Sequence, residues 1–587
     1  MRKLFYAIAL FAAFTLSGCA LNQMVKMAEQ QNLTVSPNPL EVHADTVAFE
    51  MSANLPVKML KKGKVYTLNT FYKYGDNESA LEPIQFKADD YPNASEEQPR
   101  ASKEYSFAYS PAMKSGSLEV QGVASDPKNG KSKESPRLAV APGIITTSKL
   151  VEPVYYAAYA AHGYNNQEEL NPVKVNFYFD QGRSVLKYSE RKSDRGQRLD
   201  AFIAEKNVTR TVTITGTHSP EGAERINTRL AADRAAAIES FYQRQMKSYD
   251  YAGMADSIKF ITKDVVRDWA VFKDSLSAYD GISSEEKSAY LDIVNGPGTY
   301  EEKEDKLHSL PTYKKVFREL YPKLRVAKTE ILKVKEKKTD AEIAVLAKQI
   351  ANNAVSADTL SEEELMYGAT LTPSLSEKEA IYLAATKKSG SWNAHNNLGA
   401  TYVAMAIEGD ASAGDKALAQ LEIAAYKNAT AQVHAYLASV HLMKGTAYKA
   451  YEHLQKASGG SGEMAQGVNG VKGSVEIMIA KYGDAVRSTS GASNTAVNLF
   501  NKGLAQVLNK DYQNAISSFN DAASQDTNMG IAHYGAAIAS ARLGNESDVV
   551  SHLSSAVQAT PSLKEDALAD LEFASFVSSE AFRNALK

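Results

Sequence analysis

The chain has 587 residues, 44% of them apolar, and its 66 basic and 69 acidic residues leave a formal net charge of -3. That length supplies several domains of ordinary globular composition. The near balance of charge, with no polybasic run, removes the electrostatic ground for a nucleic-acid partner.

The N-terminus carries Arg2-Lys3, an apolar run from Leu4 to Leu16, and then Leu16-Ser17-Gly18-Cys19. Residues 1–18 read as a signal peptide. The run and its ending resemble the bacterial lipoprotein export signal, and the resemblance implies that Cys19 is lipidated and becomes the first residue of the mature chain. Residues 19–31 are then a lipidated linker. Cys19 is the only cysteine, so no disulfide forms within the chain. Several acyl chains on one residue anchor a protein durably where one does so marginally. No other run reaches 18 apolar residues, so the anchor is the predicted route into lipid. Residue 20 is Ala and the first acid after Cys19 is Glu29. By resemblance to lipoprotein sorting, this implies the outer membrane, facing the periplasm.

From Asn32 to residue 171, turn formers such as Pro37, Pro39, Lys62-Gly63, Gly75-Asp76-Asn77 and Asn129-Gly130 separate short alternating runs. Val47, Phe49 and Met51 form one strand face, Tyr105, Phe107 and Tyr109 another, Leu118 and Val120 a third, and Val65 to Tyr72 a longer candidate. Strands at this spacing predict a β-sandwich of immunoglobulin type, without the Cys pair or Trp that would mark one. Asp89 to Pro99 reads as an exposed loop. Tyr155, Tyr156, Tyr159 and Tyr164 read as a linker packed on its neighbours rather than a glycan platform.

Residues 172–335 hold the stretch around which the chain is organised. Thr211 to Thr215 alternates as a half-buried strand, Gly216-Thr217-His218-Ser219-Pro220-Glu221-Gly222 turns, and Ile226, Leu230, Ile238 and Tyr242 predict one face of a helix running to about Met246. Asn227 and Arg234, two helical turns apart, point to one spot beside the turn. Gly216, Asn227, Leu230, Arg234 and Ala235, with Val175-Asn176-Phe177-Tyr178-Phe179 as first strand, resemble the OmpA-like domain, a module that holds peptidoglycan. The resemblance implies a site at Asn227 and Arg234, but the family's Asp that grips a diaminopimelate ammonium is here Ser219. A zwitterionic ligand would then lack a charge-assisted bond worth about 1.5–3 kcal/mol, unless Glu221 supplies the carboxylate. A strand at Ile258 to Ile261, helical stretches over Val265–Tyr279, Ser284–Val294 and Glu301–Arg318, and a closing strand from Tyr321 to Ile331 complete the unit. Such an insertion is similar to the OmpA-family lipoproteins of Bacteroidota.

After a linker helix over residues 336–357, small residues recur twelve apart in residues 358–587: Gly368 and Ala380, Ala438 and Ala450, Gly473 and Ala485, Gly503 and Ala515, Ala537 and Val549. Gly399 and Ala417 fit with a six-residue insertion. The period of about 34 resembles the tetratricopeptide (TPR) repeat, implying six helix pairs, a cap near Leu563 to Phe573, and a concave groove for extended peptides. Tyr402, His434, His441, Asn469 and Gln506 are the expected groove-facing residues.

The expected fold is thus multidomain: a β-sandwich, an α+β OmpA-like domain with a helical extension, and an all-α TPR-like solenoid. His434 and His441 read as groove or packing positions rather than metal ligands, and Gly459-Gly460-Ser461-Gly462 lacks the Lys-Ser/Thr ending of a phosphate loop. No nucleophile–base pair, metal site or cofactor is indicated, so no enzyme is expected. The expected function is a lipid-anchored outer-membrane scaffold, or an accessory subunit of an assembly or secretion complex, recruiting outer-membrane or periplasmic proteins through the groove. The alternative is a peptidoglycan tether through Ser219, Glu221, Asn227 and Arg234.

Overall fold

A computed structural model describes residues 20–265, 269–457 and 461–587. Cys19, the signal peptide and Gly459-Gly460 lie outside these residues. The chain divides into two compact units: residues 165–339 form one, and the segments on either side, up to residue 164 and from 340, form the other.

The expected 19–31 linker is instead a helix, Ala20–Ala28. Leu21, Met24 and Ala28 recur at helical spacing and are buried in the core of the strands that follow. Those strands form two five-stranded sheets around one core. The first centres on Thr46–Asn54, where Val47, Phe49, Met51 and Ala53 alternate inward. The second centres on Val65–Tyr74, paired with Ser117–Ser125 on one side and Asn77–Lys87 on the other. Asn77–Lys87 was not legible in the sequence: it is an edge strand with a polar face and an internal Pro83, tolerated where one row of hydrogen bonds is unused.

Residues 165–339 hold a mixed sheet in the order Leu170–Tyr178, Val326–Val334, Thr209–Gly216, Lys259–Asp264. The last pair is parallel, joined by the helix Glu224–Ser248 that crosses the sheet. The buried stripe of that helix is Asn227, Ala231, Arg234, Ala235, Ile238, Phe241, Tyr242 and Met246. Ile226, expected inward, is 54% exposed. Gly216 is required where the strand meets this helix, because a Cβ there would stand 1.9 Å from the Ala231 carbonyl oxygen. The extension folds as the helices Ala270–Ser277, Ser284–Asn295, Tyr300–His308 and Tyr313–Glu319 around its own aromatic core of Trp269, Phe272, Tyr290 and Tyr321. Tyr321–Leu324 is a helical turn rather than strand, since the Tyr321 hydroxyl is drawn into this core to donate to Glu304.

Residues 340–587 are helical, with the pairs 362–368/375–389, 392–407/413–427, 431–443/447–456, 462–478/482–490, 496–508/512–525 and 530–543/546–559. The small residues sit where paired helices cross: a Cβ on Gly503 would lie 2.8 Å from the Phe519 ring. The expected linker helix is part of the array. Asp340–Ala351 buries Ile343, Ala347 and Ile350 in the repeat core, with Ala347 against Gly368. The array therefore begins near residue 340, not 358. It ends in Leu563–Ala569, Leu571–Phe573 and Glu580–Ala585. The sandwich is bound to its last repeats: the Arg542 guanidinium donates to Glu572 at 2.6 and 2.8 Å and pairs with Glu41 at 2.9 Å, and Thr147 donates to Glu572.

Candidate functional site

The turn and helix of the 165–339 unit bring Ser219, Glu221, Asn227 and Arg234 to one cavity of about 540 Å³. Its wall also includes Ile226 and Leu230 and, from the extension, His308, Tyr313, Lys314 and Phe317. Ile226 and Leu230 thus turn toward this opening rather than the core.

The roles of the four residues differ from those expected. The Asn227 side-chain amide donates to the carbonyls of Glu221 and Gly222 at 3.1 and 3.3 Å, which holds the turn. Arg234 is 1% exposed. Its guanidinium donates to the carbonyls of Arg183, Thr217 and Asp180 at 3.0, 2.8 and 3.2 Å, tying together the loop and turn that frame the cavity. Burial, reinforced by the nearby Arg325 charge, pulls it down to about 10.

Ser219 and Glu221 are engaged by a residue the sequence reading did not nominate. Arg325 Nε donates to Ser219 Oγ at 2.9 Å, and its Nη2 donates to Glu221 Oε1 at 2.8 Å. The side chains of this ion pair are 8% and 14% exposed. A guanidinium of the chain itself therefore stands at the group that would receive a ligand's ammonium. Glu221 Oε2 is buried and has no hydrogen-bond partner among the described residues. Behind this pair lies Glu304, which accepts from the hydroxyls of Tyr313 and Tyr321 at 2.8 Å each. Burial, which those hydroxyls only partly offset, pushes its carboxyl up to about 7. Arg325 precedes the closing strand, about 100 residues from the turn, so local spacing gives no sign of it.

The second candidate site, the inner face of the repeats, is already filled. Residues 151–164 run extended along it. Asn501 accepts from the Glu152 amide at 3.0 Å and donates to its carbonyl at 2.7 Å, and Asn397 does the same for Ala160 at 2.7 and 3.1 Å. Between them Ser439 accepts from the Tyr156 amide at 2.9 Å and donates to its carbonyl at 3.1 Å. Tyr436 donates to the Ala158 carbonyl. Tyr159 stacks on Tyr382 and Tyr164 on Tyr367. The Tyr-rich linker packs on its neighbour as expected, but in the groove expected to hold a partner.

The five residues expected to face the groove do not. Tyr402 and Gln506 are 6% exposed; Tyr402 donates to Glu379 on the helix of the preceding pair, and Gln506 accepts from Ser518 on its own partner helix. Asn469 donates to the Gly491 carbonyl. His434 and His441 meet a third imidazole, His453, the first by a 3.1 Å Nδ1–Nδ1 contact and the second by stacking at 5.3 Å. A residue three past the crossing residue points at a neighbouring helix. The positions that reach the groove are two before it, as in Asn397 and Asn501, and one after it, as in Ser439 and Ser474. Buried polar residues at those offsets are the signal that sequence reasoning missed.

No family model matches the chain, and no curated protein matches it significantly. Among solved structures it is similar to the APC/C hetero-tetramer Cut9-Hcn1, with 16% identity over 62% of this chain and 77% of that one, at a TM-score of 0.31. It is also similar to the C-terminal part of a TPR repeat-containing protein from Cytophaga hutchinsonii, with 16% identity, 41% and 92% coverage and a TM-score of 0.28. A third is a tetratricopeptide repeat protein from Parabacteroides merdae, with 15% identity, 38% and 96% coverage and a TM-score of 0.27.

Proposed function

We propose that the chain is a lipid-anchored, periplasm-facing scaffold of the outer membrane, an accessory subunit of an assembly or secretion complex that recruits proteins through its helical repeats. The observation that carries this reading is the array of six helix pairs, which builds surface rather than chemistry. Because the inner-face Asn and Ser side chains are spent on the chain's own residues 151–164, recruitment falls to the second helices. There Tyr426 is 93% and Tyr448 65% exposed, and large aromatic rings are favoured anchors in protein interfaces. A photo-crosslinking residue placed at Tyr426 or Tyr448 in cells gives discrete protein adducts, and the same residue at buried Tyr402 gives none. Equal labelling at all three, or none at either exposed site, overturns the reading. Anchoring has its own test: Cys19→Ser leaves the protein unprocessed or soluble, and retention in washed membranes contradicts the lipid anchor.

A peptidoglycan tether is the second reading, favoured by the convergence of Ser219, Glu221, Asn227 and Arg234 on one cavity. The Arg325 guanidinium opposes it, since it neutralises Glu221 and repels an ammonium. The unaltered protein is expected to bind diaminopimelate muropeptides weakly. Ser219→Asp alone gains little, because Arg325 pairs with the new carboxylate, whereas Ser219→Asp with Arg325→Leu gains roughly tenfold or more. Low-micromolar binding by the unaltered protein, abolished by Glu221→Ala, would make the tether the primary function.

A further inference from the structure

The groove and the segment within it fit as a receptor and its ligand. The contacts fall on the backbone of alternate residues, Glu152, Val154, Tyr156, Ala158 and Ala160, as an extended chain presents every second peptide group to one side. They come from four successive first helices, through Asn397, Ser439, Ser474 and Asn501, which are 0–1% exposed. The receptor also carries a slot for one side chain. Gly467 lies within the helix Gly462–Met478, where glycine is unfavourable, and a Cβ on it would stand 2.2 Å from the Tyr156 ring. Gly470, one turn on, lies against both the Asn498 side chain and Val154, where a Cβ would stand 2.8 Å from Asn498 Oδ1 and 3.1 Å from Val154 Cγ1. The glycines make room for the ligand's aromatic ring and branched side chain, while the Asn and Ser side chains read its peptide groups whatever the sequence.

We propose that the repeat array is a peptide-binding groove whose resident ligand is the chain's own segment 151–164, an extended Tyr- and Ala-rich peptide held through its backbone, so that the groove is closed to peptides from outside. The segment is joined to the array by the chain through residues 165–339, and its other end leads into the sandwich, itself held on the last repeats by Arg542 and Glu572, which gives it an effective concentration of roughly a millimolar. An outside peptide of equal intrinsic affinity, present at micromolar levels, is outcompeted by about a thousandfold.

The test uses the full-length protein and a fluorescent synthetic peptide with the sequence of residues 150–164, read by anisotropy. The unaltered protein is expected not to bind it at 100-fold excess of protein over peptide. A Tyr156→Glu/Tyr159→Glu variant, whose own segment is expelled while the groove is untouched, is expected to bind it in the micromolar range, with Asn397→Ala/Asn501→Ala in the same background weakening binding roughly thirtyfold. Binding by the unaltered protein equal to that of the variant overturns the closure. No binding by a variant with unchanged helical circular dichroism overturns the receptor. Two measurements do not depend on that variant folding. Hydrogen exchange on the unaltered protein should protect the amides of Glu152, Tyr156 and Ala160 as strongly as those of the repeat helices, and exchange within seconds overturns the proposal. Gly467→Ala should lower the melting temperature by displacing Tyr156, although alanine in place of glycine ordinarily favours a helix. A rise would show that the slot is not occupied.

Discussion

The turn of the 165–339 unit and the inner face of the repeats both present polar side chains, and both are satisfied from within the chain by opposite means. In the first, a single guanidinium, Arg325, meets Ser219 and Glu221 in a nearly dry ion pair. In the second, a whole segment is held by peptide hydrogen bonds spread over four helices. A closure that depends on one charge is strong at one point and can be undone by one substitution. A closure distributed over neutral contacts loses little at any one of them and is insensitive to salt.

The sharpest way to break the comparison is therefore Arg325→Leu, which leaves Glu221 buried without its cation. We expect about 3–5 kcal/mol of destabilisation in denaturant unfolding, because an uncompensated buried charge costs far more than the pair contributes. Glu221→Leu in the same chain should recover most of it. Asn501→Ala, at the other closure, should cost about 1 kcal/mol, the ordinary magnitude of a neutral hydrogen-bond pair. Equal losses at the two sites would erase the distinction.

Next in size is the pH response behind the ion pair. The Glu304 carboxyl is raised from the usual 4.5 to about 7, chiefly by burial. An acid raised on folding binds its proton more tightly in the native state, so its contribution is fully present below pH 4.5 and is lost as pH rises through 7. The loss is at most about 3 kcal/mol from the size of the shift. Glu304→Gln should flatten the fall in stability of the 165–339 unit between pH 4.5 and 8. An unchanged slope would mean that Glu304 is not held protonated.

A smaller expected effect separates the array from its tie. Ala515→Phe overpacks the crossing of the helices 496–508 and 512–525, at about 1–3 kcal/mol. In a bare solenoid the damage would loosen the neighbouring repeats alone. Here residues 151–164 span from Asn501 to Tyr367, so hydrogen exchange should also rise at Tyr156 and Ala160. A response confined to the adjacent repeats would show that the segment transmits nothing.

What was legible in the sequence was local. Alternation placed Thr46–Asn54 and Thr209–Gly216 as strands, and the twelve-residue offset placed the repeat pairs, because each signal comes from neighbours along one element. The convergence of Asn227 and Arg234 followed from helical spacing. What was not legible depended on pairing across long separations. Ile226 looked like core because apolar residues at four-residue intervals fit two adjacent stripes, and the buried one contains Asn227 and Arg234, polar groups whose partners are backbone carbonyls elsewhere. The helix Asp340–Ala351 looked like a charged linker because its buried Ile343, Ala347 and Ile350 form too narrow a stripe to stand out. The contact of Ala160 with Asn397 joins residues 237 apart, and no local pattern encodes it.

The smallest expected effect lies on the array, where charge does matter, at His453. Its imidazole touches His434 and His441 and is lowered from 6.5 to about 4, first by burial and then by the charges those two rings and Lys456 would carry. The native state binds this proton less tightly than the unfolded chain. The stability it secures is therefore present above pH 6.5 and is lost as pH falls from 6.5 toward 4, opposite in sign to Glu304. The ring is only half-buried, so solvent screens the repulsion and the loss is modest. His453→Gln should leave the melting temperature unchanged at pH 7.5 and raise it by a few degrees at pH 5, with the change confined to the 431–456 repeat in hydrogen exchange. A drop at both pH values would show instead that the ring acts by packing, and that the array's tolerance of acid is set by the distributed contacts alone.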